Sequence, residues 1–243
     1  MVMAGGAVAV ACREIAKRAA KIGAQLLQTD AAQVTVRAGE VTGPRGSISL
    51  SEIARTWYLK PQNLPHDVDM GGMEATIGYR PDPDTGTFSY ATHAVIVAVD
   101  PETGDVKILD YVVVEDGGKL VNPMVVDGQI LGGIAQGIGT ALYEEMPFDT
   151  SAQPLASTLA DYLLPGSTDV PTTRIDHLET LAPHTEFGVK GIGEGGAIAA
   201  PAAIANAVND ALRPLHAELL VSPITPHRVL EAVERGRSGA NAP

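Results

Sequence analysis

The sequence predicts an α+β fold, a mixed sheet with packed helices, and three observations lead to this class. Hydrophobic residues make up 45% of the 243 residues and charged residues 19%, a composition that is typical of a globular chain. Two β-rich runs, residues 87–100 and 104–118, are joined by the turn sequence PETG, which predicts a β-hairpin. Strands and helices do not alternate strictly along the chain, and this favours α+β over a doubly wound architecture.

The first third of the chain is predicted to begin with an amphipathic helix over residues 4–28, because its apolar residues recur at helical spacing. We expect Cys12, within this helix, to be a buried structural thiol. Two short strands are expected between residues 31 and 49, followed by a helix with Ser51 at its N-cap. Residues 74–81 have the pattern of a further strand, which leads into the turn-rich sequence PDPDTG.

The predicted hairpin is followed by a helix whose start is well marked. Asn122 suits the N-cap position and Pro123 suits the first helical position. Inside the hairpin, His93 has no histidine or cysteine partner at a metal-ligand spacing. We therefore expect it to be a core or cross-strand residue.

The helix after Pro123 carries glycines in its interior, each of which costs about 1 kcal/mol of helix propensity relative to alanine. Gly128, Gly132 and Gly139 share roughly one face, so a neighbour should approach that face closely. One interpretation is another helix or strand packed against the glycines. The other is a ligand, toward which Gln129 and Gln136 present their amides from positions about two turns apart.

The last part of the chain is predicted to contain one strand and two helices. The strand falls at residues 173–181, and the helices fall at 197–212 and 222–235. We expect residues 1–235 to form one domain and residues 236–243 to form a flexible tail.

Charge and cysteine content exclude several functions. Lys and Arg number 17 against 29 Asp and Glu, a formal net charge of −12, which disfavours binding to nucleic acid because the chain offers no basic face to phosphates. A single cysteine excludes an internal disulfide and a four-thiolate iron–sulfur cluster in this chain. The apolar stretch at residues 123–142 is too polar for a membrane span, and no secretory signal is evident. These features favour a cytoplasmic protein that acts on a small molecule.

The sequence GIGEGG fits a dinucleotide-binding pattern at Gly191, Gly193 and Gly196. That pattern requires a preceding hydrophobic strand and a following βαβ unit, and neither is present in the sequence, so a self-contained Rossmann site is not expected. Glu194 in this loop has two interpretations. It is either an acid stabilised near a helix N-terminus, worth about 0.3–1 kcal/mol, or a general base held in a rigid glycine turn. Spacing and composition do not choose between them.

Four motifs, in this order along the chain, resemble the closing portion of the large subunit of molybdenum hydroxylases, the family of xanthine dehydrogenase, aldehyde oxidase and carbon-monoxide dehydrogenase. The motifs are NPMVVDGQILGGIAQGIGTALYEE, LADYLLPGSTDVP, EFGVKGIGEGGAIAAPAAIANAVNDAL and SPITPHRVLEAV. The opening sequence MVMAGGAVAVACREI is also similar to a helix that follows a cofactor-contacting loop in that family. The resemblance implies that the chain is the C-terminal portion of a molybdopterin-binding domain.

The resemblance implies roles for particular residues. Glu194 matches the family's active-site glutamate, which takes a proton from a molybdenum-bound hydroxyl during hydroxylation of an electron-poor carbon. Gln129 matches a glutamine that hydrogen-bonds the pterin near the metal, and Gly128 and Gly193 match flanking positions that let these side chains approach.

Three further residues match the motifs with less definite roles. Gln136, Lys190 and Gly191 are implied to contact the cofactor, although a surface or salt-bridge role for Lys190 fits its position equally well.

The resemblance also implies cofactors and partners. The cofactor is molybdenum–molybdopterin, for which the cytosine dinucleotide form is one candidate, and its metal is held by pterin sulfurs rather than by protein side chains. The family's other cofactor loops lie upstream of residue 1, so we expect the chain to need the N-terminal portion of the large subunit as a separate chain. Iron–sulfur and flavin (FAD) groups are expected on further partner subunits, and the substrate is expected to be an aldehyde or N-heterocycle. The alternatives are a non-catalytic assembly or binding module derived from this family and a free-standing nucleotide-binding protein.

Overall fold

The computed structural model describes residues 1–81 and 86–240, with side chains described to residue 238. The chain forms two compact units. The first comprises Met1–Thr85 with His184–Glu186, and the second comprises Gly86–Pro183 with Phe187–Pro243. The region that the sequence treats as one domain, residues 1–235, therefore contains two units.

The first unit packs two helices against a small antiparallel sheet. Helix α1 is Val2–Leu26 and helix α2 is Leu50–Leu59. The sheet is formed by strands β1 Thr35–Arg37, β2 Glu40–Gly43 and β3 Gly46–Ser49, in that order. The buried side chains of its core are Ala19, Ile22, Val41, Ile53 and Val68.

Several expectations for the first unit are corrected by its structure. The sheet has three strands rather than two, because Ala38 and Gly39 adopt positive φ angles and form a tight turn between β1 and β2. The N-cap of α2 is Ser49 rather than Ser51, and its hydroxyl accepts from the Glu52 N–H at 3.2 Å. Cys12 is exposed rather than buried.

The strand expected at residues 74–81 is absent from that described segment, which pairs with no strand of either sheet. Its alternation of polar and apolar residues is typical of a strand, but no described strand lies beside it to form backbone hydrogen bonds. Most of the turn expected at residues 81–86 lies outside the described residues. Glu186, in the returning segment of this unit, accepts two hydrogen bonds from Arg13 at 2.9 and 2.6 Å.

The second unit is built on a mixed three-stranded sheet, which confirms the predicted α+β class. Strand β4 Tyr90–Val99 pairs antiparallel with β5 Val106–Asp116, which confirms the hairpin, and β5 pairs in parallel with β6 Thr173–Leu178. His93 lies across the hairpin as expected, with its Nδ1 2.8 Å from the Tyr111 hydroxyl.

Four helices accompany this sheet: α3 Pro123–Ile138, α4 Gly195–Ile198, α5 Ala200–Leu212 and α6 Pro226–Ala240. Asn122 caps α3 as predicted, accepting from the Val125 N–H at 3.3 Å. The helix predicted over residues 197–212 is divided in two, because Pro201 lies in the first turn of α5 and lacks the N–H that a continuous helix would use.

The core of the second unit lies between the sheet and these helices. Its buried members include Tyr111, Val113, Ile130, Ile134, Ile138, Ile204, Val208, Leu212 and Val229. Helix α6 continues through residue 240, so residues 236–240 of the predicted tail are helical and residues 241–243 lie outside the described residues. Within residues 1–81 and 86–240, none of the helices combines the length and the apolarity that crossing a membrane requires.

Candidate active site

The candidate site lies in the second unit, where a glycine-rich segment, residues 188–198, runs beside the end of β5. Val189 forms a β-bridge with Gly118, and the Lys119 N–H donates to the Gly188 carbonyl at 3.1 Å. Gly118 has a φ of 66°, and a Cβ there would collide with the Gly188 carbonyl oxygen. Glycine is therefore required at this position both for conformation and for space.

Glu194 occupies the N-cap position of α4, with a φ of −114° and a ψ of 0°. Its backbone carbonyl accepts from the N–H groups of Ala197 at 2.9 Å and Ile198 at 3.3 Å, which begins the helical turn. Its side chain is exposed and forms no capping hydrogen bond. The described part of the chain supplies no cation to pair with this carboxylate, so it is available to accept a proton from a group that docks there.

Gln129 connects α3 to the residue that precedes Glu194. Its amide Nε2 donates to the Gly193 carbonyl at 2.6 Å, while the rest of the residue is exposed. Gly193 and Gly128 are both exposed, and a Cβ at either position would meet nothing within 4 Å. The structure therefore brings Gln129, Gly193 and Glu194 together beside open space.

The close approach to α3 occurs at different glycines from those that the sequence pattern selects. A Cβ at Gly133 would lie 2.8 Å from the Ala197 nitrogen, and a Cβ at Gly137 would collide with Ala200. By contrast, a Cβ at Gly132 would meet nothing within 4 Å. Gly133 and Gly137 are one turn apart on the buried face of α3, where they let α4 and α5 pack closely.

The close neighbour expected along Gly128, Gly132 and Gly139 is therefore absent at the first two positions in the described structure and present at Gly139. Gly139 is separate from the open positions, because it begins a π-helical turn, Gly139–Tyr143, and a Cβ there would collide with the Glu144 carboxylate. The spacing argument selected Gly128, Gly132 and Gly139, whereas the glycines of α3 that pack against α4 and α5 are Gly133 and Gly137.

In the described structure, Gln136 and Gly191 take no part in the hydrogen bonds around Glu194. Gln136 is exposed on α3, and its backbone carbonyl accepts from the Thr140 hydroxyl at 3.2 Å. The Gly191 N–H donates to the Thr87 hydroxyl at 3.2 Å. Each residue is thus accessible, but neither forms a hydrogen bond to Gln129 or Glu194 in the described structure.

Lys190 is buried in an ion pair, which is one of the roles left open by the sequence. Its Nζ lies 2.8 Å from Asp116 Oδ1, with both side chains almost fully buried, and 5.0 Å from the centre of the Tyr90 ring. Asp116 also accepts from the N–H groups of Gly118 and Thr180, each at 2.9 Å. Burial opposes ionisation of Asp116, but hydrogen bonds from Lys190, Thr180 and Gly118 outweigh it and hold the pKa of this carboxyl well below its usual range.

Glu115, the residue before Asp116, is a feature of the site that sequence reasoning missed. It is 1% exposed, and neither carboxyl oxygen has a hydrogen-bond partner in the described structure. Burial raises the pKa of its carboxyl, and His177 opposes that rise. The signal was present in the alternation of β5, which places residue 115 on the same core-facing side as Tyr111 and Val113.

A second polar contact near the site was also missed. His177 Nε2 lies 2.7 Å from Asp127 Oδ1, joining β6 to α3. Within the described residues, no group of three or more histidine, cysteine, aspartate or glutamate side chains is arranged to hold a metal ion.

The sequence profile of the molybdopterin cofactor-binding domain family matches residues 1–171. This span includes Gly128, Gln129 and Gln136, and it ends before the segment that carries Glu194.

Individual proteins are similar over a longer stretch. The chain is 37% identical over 236 residues to the nicotine 6-hydroxylase large subunit of Paenarthrobacter nicotinovorans, an alignment that covers 96% of this chain and 29% of that subunit. It is 32% identical over 235 residues to the carbon monoxide dehydrogenase large chain of Hydrogenophaga pseudoflava, covering 96% of this chain and 28% of the other.

Among solved structures, quinoline 2-oxidoreductase from Pseudomonas putida 86 matches with a TM-score of 0.81 and 37% identity, over 90% of this chain and 28% of that one. The chain thus spans less than a third of the length of these relatives.

Proposed function

Because the chain belongs to the molybdopterin cofactor-binding domain family, we propose that it is the C-terminal part of the large subunit of a molybdenum hydroxylase and carries the catalytic base. The proposal rests on the arrangement at Glu194. An exposed carboxylate without a cation partner in the described structure stands at the start of α4, next to a carbonyl that Gln129 holds.

The residues around Glu194 fit a molybdopterin cofactor. The open space at Gly128 and Gly193 leaves room for a flat group to approach the backbone, and the amide oxygen of Gln129 is left to accept hydrogen bonds from it.

We assign the remaining predicted residues on the same basis. Gln129 and Gly128 would hold the cofactor, and the exposed Gln136 and Gly191 would be accessible to it. Lys190 acts indirectly, since its ammonium group is engaged with Asp116 beneath the glycine segment.

In the proposed reaction, a substrate C–H bond becomes C–OH, the oxygen comes from water, and two electrons and two protons are released. When bound, the cofactor supplies the two-electron oxidation. Glu194 accepts the proton of the attacking oxygen, which makes that oxygen more nucleophilic.

The substrate class is proposed from the relatives, which include a nicotine hydroxylase and a quinoline oxidoreductase. We propose an electron-poor carbon of an N-heterocycle or an aldehyde. The cofactor form, with the cytosine dinucleotide as one candidate, and the cytoplasmic location also belong to this proposal.

The chain is proposed to work with other subunits. It spans 29% of the nicotine 6-hydroxylase large subunit, so the N-terminal portion of the large subunit must supply the rest of the cofactor site. Iron–sulfur and flavin subunits would remove the electrons, because the one cysteine of this chain cannot hold an iron–sulfur cluster.

A glutamate-to-glutamine substitution tests the role of Glu194. In the complex that co-purifies with the chain, Glu194→Gln is expected to lower turnover of quinoline or nicotine, followed by reduction of a dye, by at least about a hundredfold, because general-base catalysis contributes about 10²–10⁴-fold. Molybdenum and pterin content should be unchanged. Glu218→Gln, at an equally exposed glutamate beyond the other end of α5, is the matched control.

Two results would oppose the proposal. Wild-type turnover in Glu194→Gln would remove the base assignment. A complex that contains no molybdenum, although the metal was supplied during expression, would instead favour a non-catalytic assembly module.

A further inference from the structure

Glu115 is a buried acid for which the ion pairs of the described residues provide no counter-charge. The neighbouring lysine, Lys190, is bonded to Asp116 on the other side of the strand. The titratable group that faces Glu115 is His177, its register neighbour on β6, whose ring is in turn bonded to Asp127 of α3. The register neighbour on β4 is Ala91, which carries no charge.

The Glu115 carboxyl lies directly behind the segment that carries Glu194. A Cβ built on Gly195 would collide with Glu115 Oε1 and would lie 3.0 Å from Oε2. Gly195 does not have the positive φ that favours glycine, so glycine is needed here for space alone. The Glu115 side chain therefore occupies the position that a side chain at residue 195 would take.

Both neighbours of Glu194 are consequently fixed by side chains from the sheet and α3. The Gly193 carbonyl is held by the Gln129 amide at 2.6 Å, and Gly195 rests against the Glu115 carboxyl. The next residue, Gly196, lies against the backbone of Ile130 so closely that a Cβ there would collide with its carbonyl oxygen.

An unpartnered carboxyl in a protein interior lowers stability relative to an apolar side chain of similar size. Folding alone therefore does not account for glutamate at position 115.

We propose that Glu115 is a positioning residue, whose carboxyl sets the depth of the segment 193–196 and thereby holds Glu194 in its working position. This inference rests on the proposed role of Glu194, and it adds a residue of β5 to the support of that role. Its carboxyl acts by contact with Gly195 rather than by contact with substrate or cofactor.

Amide hydrogen exchange tests this inference independently of catalysis. In the full chain, purified with the subunits that accompany it, Glu115→Ala is expected to raise exchange of the amides in residues 191–198 by at least about tenfold, while the amides of α6 serve as a reference for global stability. Glu115→Gln, which keeps the length of the side chain, should leave exchange within about twofold of wild type. Glu115→Asp, which withdraws the carboxyl by one methylene, is the second variant if Glu115→Ala does not fold.

A double-mutant cycle with Gly195→Ala tests the contact itself. Gly195→Ala alone should raise exchange of residues 191–198, because its Cβ overlaps the Glu115 carboxyl. Combined with Glu115→Ala, the same Cβ fills vacated space, so exchange should return toward the wild-type rate. In the loaded complex, kcat should fall in each single variant and recover in the double variant, with KM and molybdenum content unchanged.

The outcomes separate this inference from the proposed function. Unchanged exchange of residues 191–198 in Glu115→Ala and Glu115→Asp, or a double variant that exchanges as fast as the single variants, would overturn the positioning role. Full turnover in Glu194→Gln would remove the catalytic base but would leave the exchange results to decide whether Glu115 holds the segment.

Discussion

Two consecutive acids at the end of β5, Glu115 and Asp116, show how the surroundings of a residue shift its pKa. Asp116 accepts hydrogen bonds from Lys190, Thr180 and Gly118, and its pKa is lowered. Glu115 points to the other side of the strand, has no hydrogen-bond partner in the described structure, and has a raised pKa. Side-chain alternation thus places two acids whose pKa values are shifted in opposite directions next to each other in sequence.

Asp116→Asn is expected to destabilise the chain. At neutral pH the substitution leaves the buried Lys190 without its counter-charge, which should lower the free energy of unfolding by about 3–5 kcal/mol. Glu179→Gln, which breaks the exposed pair of Glu179 with Lys119, is the matched control and should cost no more than about 1 kcal/mol. Urea unfolding monitored by circular dichroism measures both.

The same pair predicts a pH dependence. The pKa of Asp116 is lower in the folded than in the unfolded chain, so its stabilisation is present above the unfolded value of about 3.9 and is lost as the pH falls through the folded value. The difference in stability between wild type and Asp116→Asn should therefore shrink below about pH 4. A difference that is equal at neutral and acidic pH would contradict this account.

At the scale of single residues, the sequence predicted the positions that depend on local chemistry. Asn122 as an N-cap follows from the residues beside it, and it is confirmed. The burial of Glu115 and the pairing of Lys190 with Asp116 depend on contacts across as many as 80 residues of chain, which spacing does not reveal. Glu194 was distinguishable from an ordinary helix-end acid only through the resemblance of the surrounding motifs.

At the scale of secondary-structure elements, α3 joins two different surfaces. Its buried face brings Gly133 and Gly137 against α4 and α5, while Gly128 and Gly132 lie on an open face. Gly133 and Gly137 allow close packing, whereas Gly128 and Gly132 leave the helix surface beside Gln129 without side chains. A single glycine-rich helix thus serves both the core and the candidate site.

Alanine substitutions on the two faces of α3 should change the stability of the chain in opposite directions. Gly132→Ala meets no neighbour and should raise the stability of the chain by up to about 1 kcal/mol, the difference in helix propensity. Gly133→Ala should lower stability by about 1–3 kcal/mol, because its Cβ would press against the α4 backbone. Thermal and urea unfolding of the two variants provide the comparison, and changes of the same sign would refute the packing assignment.

Elements with strong hydrophobic periodicity were predicted correctly from sequence. Helix α1, the β4–β5 hairpin and strand β6 all have such patterns, and all are present. The strand predicted at residues 74–81 does not form, because a strand needs a neighbouring strand to pair with and none of the described strands pairs with this segment. The division of α4 from α5 was signalled by Pro201, whose preference for a first helical turn places a boundary before it.

At the scale of the whole molecule, α3 carries apolar side chains that the described structure leaves uncovered. Met124 is 76% exposed, Val125 is 59% exposed, and Leu131 lies on the same helix at 38%. Apolar patches of this kind mark surfaces that bind other groups or proteins. Since the chain spans less than a third of its relatives, the remainder of a large subunit is the partner that we propose to cover this face.

Acidic substitutions on this face should prevent assembly with the partner without unfolding the chain. Met124→Glu combined with Leu131→Glu should leave the chain folded, because both side chains are already in contact with solvent, but should abolish its co-purification with the N-terminal portion of the large subunit. Met124→Leu with Leu131→Met keeps the face apolar and should preserve the complex. Affinity purification followed by circular dichroism distinguishes lost assembly from lost folding, and retention of the partner by the charged variant would argue against the proposed interface.

Composition and periodicity did not indicate that this chain spans less than a third of the length of its relatives. Both measures describe an ordinary globular chain of 243 residues. The expectation of a missing portion came from the resemblance, which relates this chain to one part of a larger subunit. Composition and periodicity indicate how a segment folds, whereas the length of the related subunits becomes known only by comparison with them.

The contact between Glu115 and Gly195 also restricts how this protein can change over generations. A larger residue at position 195 overlaps the glutamate that is already present, and replacement of the glutamate by a small residue leaves a gap while position 195 is still glycine. Each first step is therefore unfavourable even where the pair of changes is acceptable. Lineages that place a side chain at position 195 should therefore carry a small residue at position 115, which would couple a residue of the sheet to a residue of the loop.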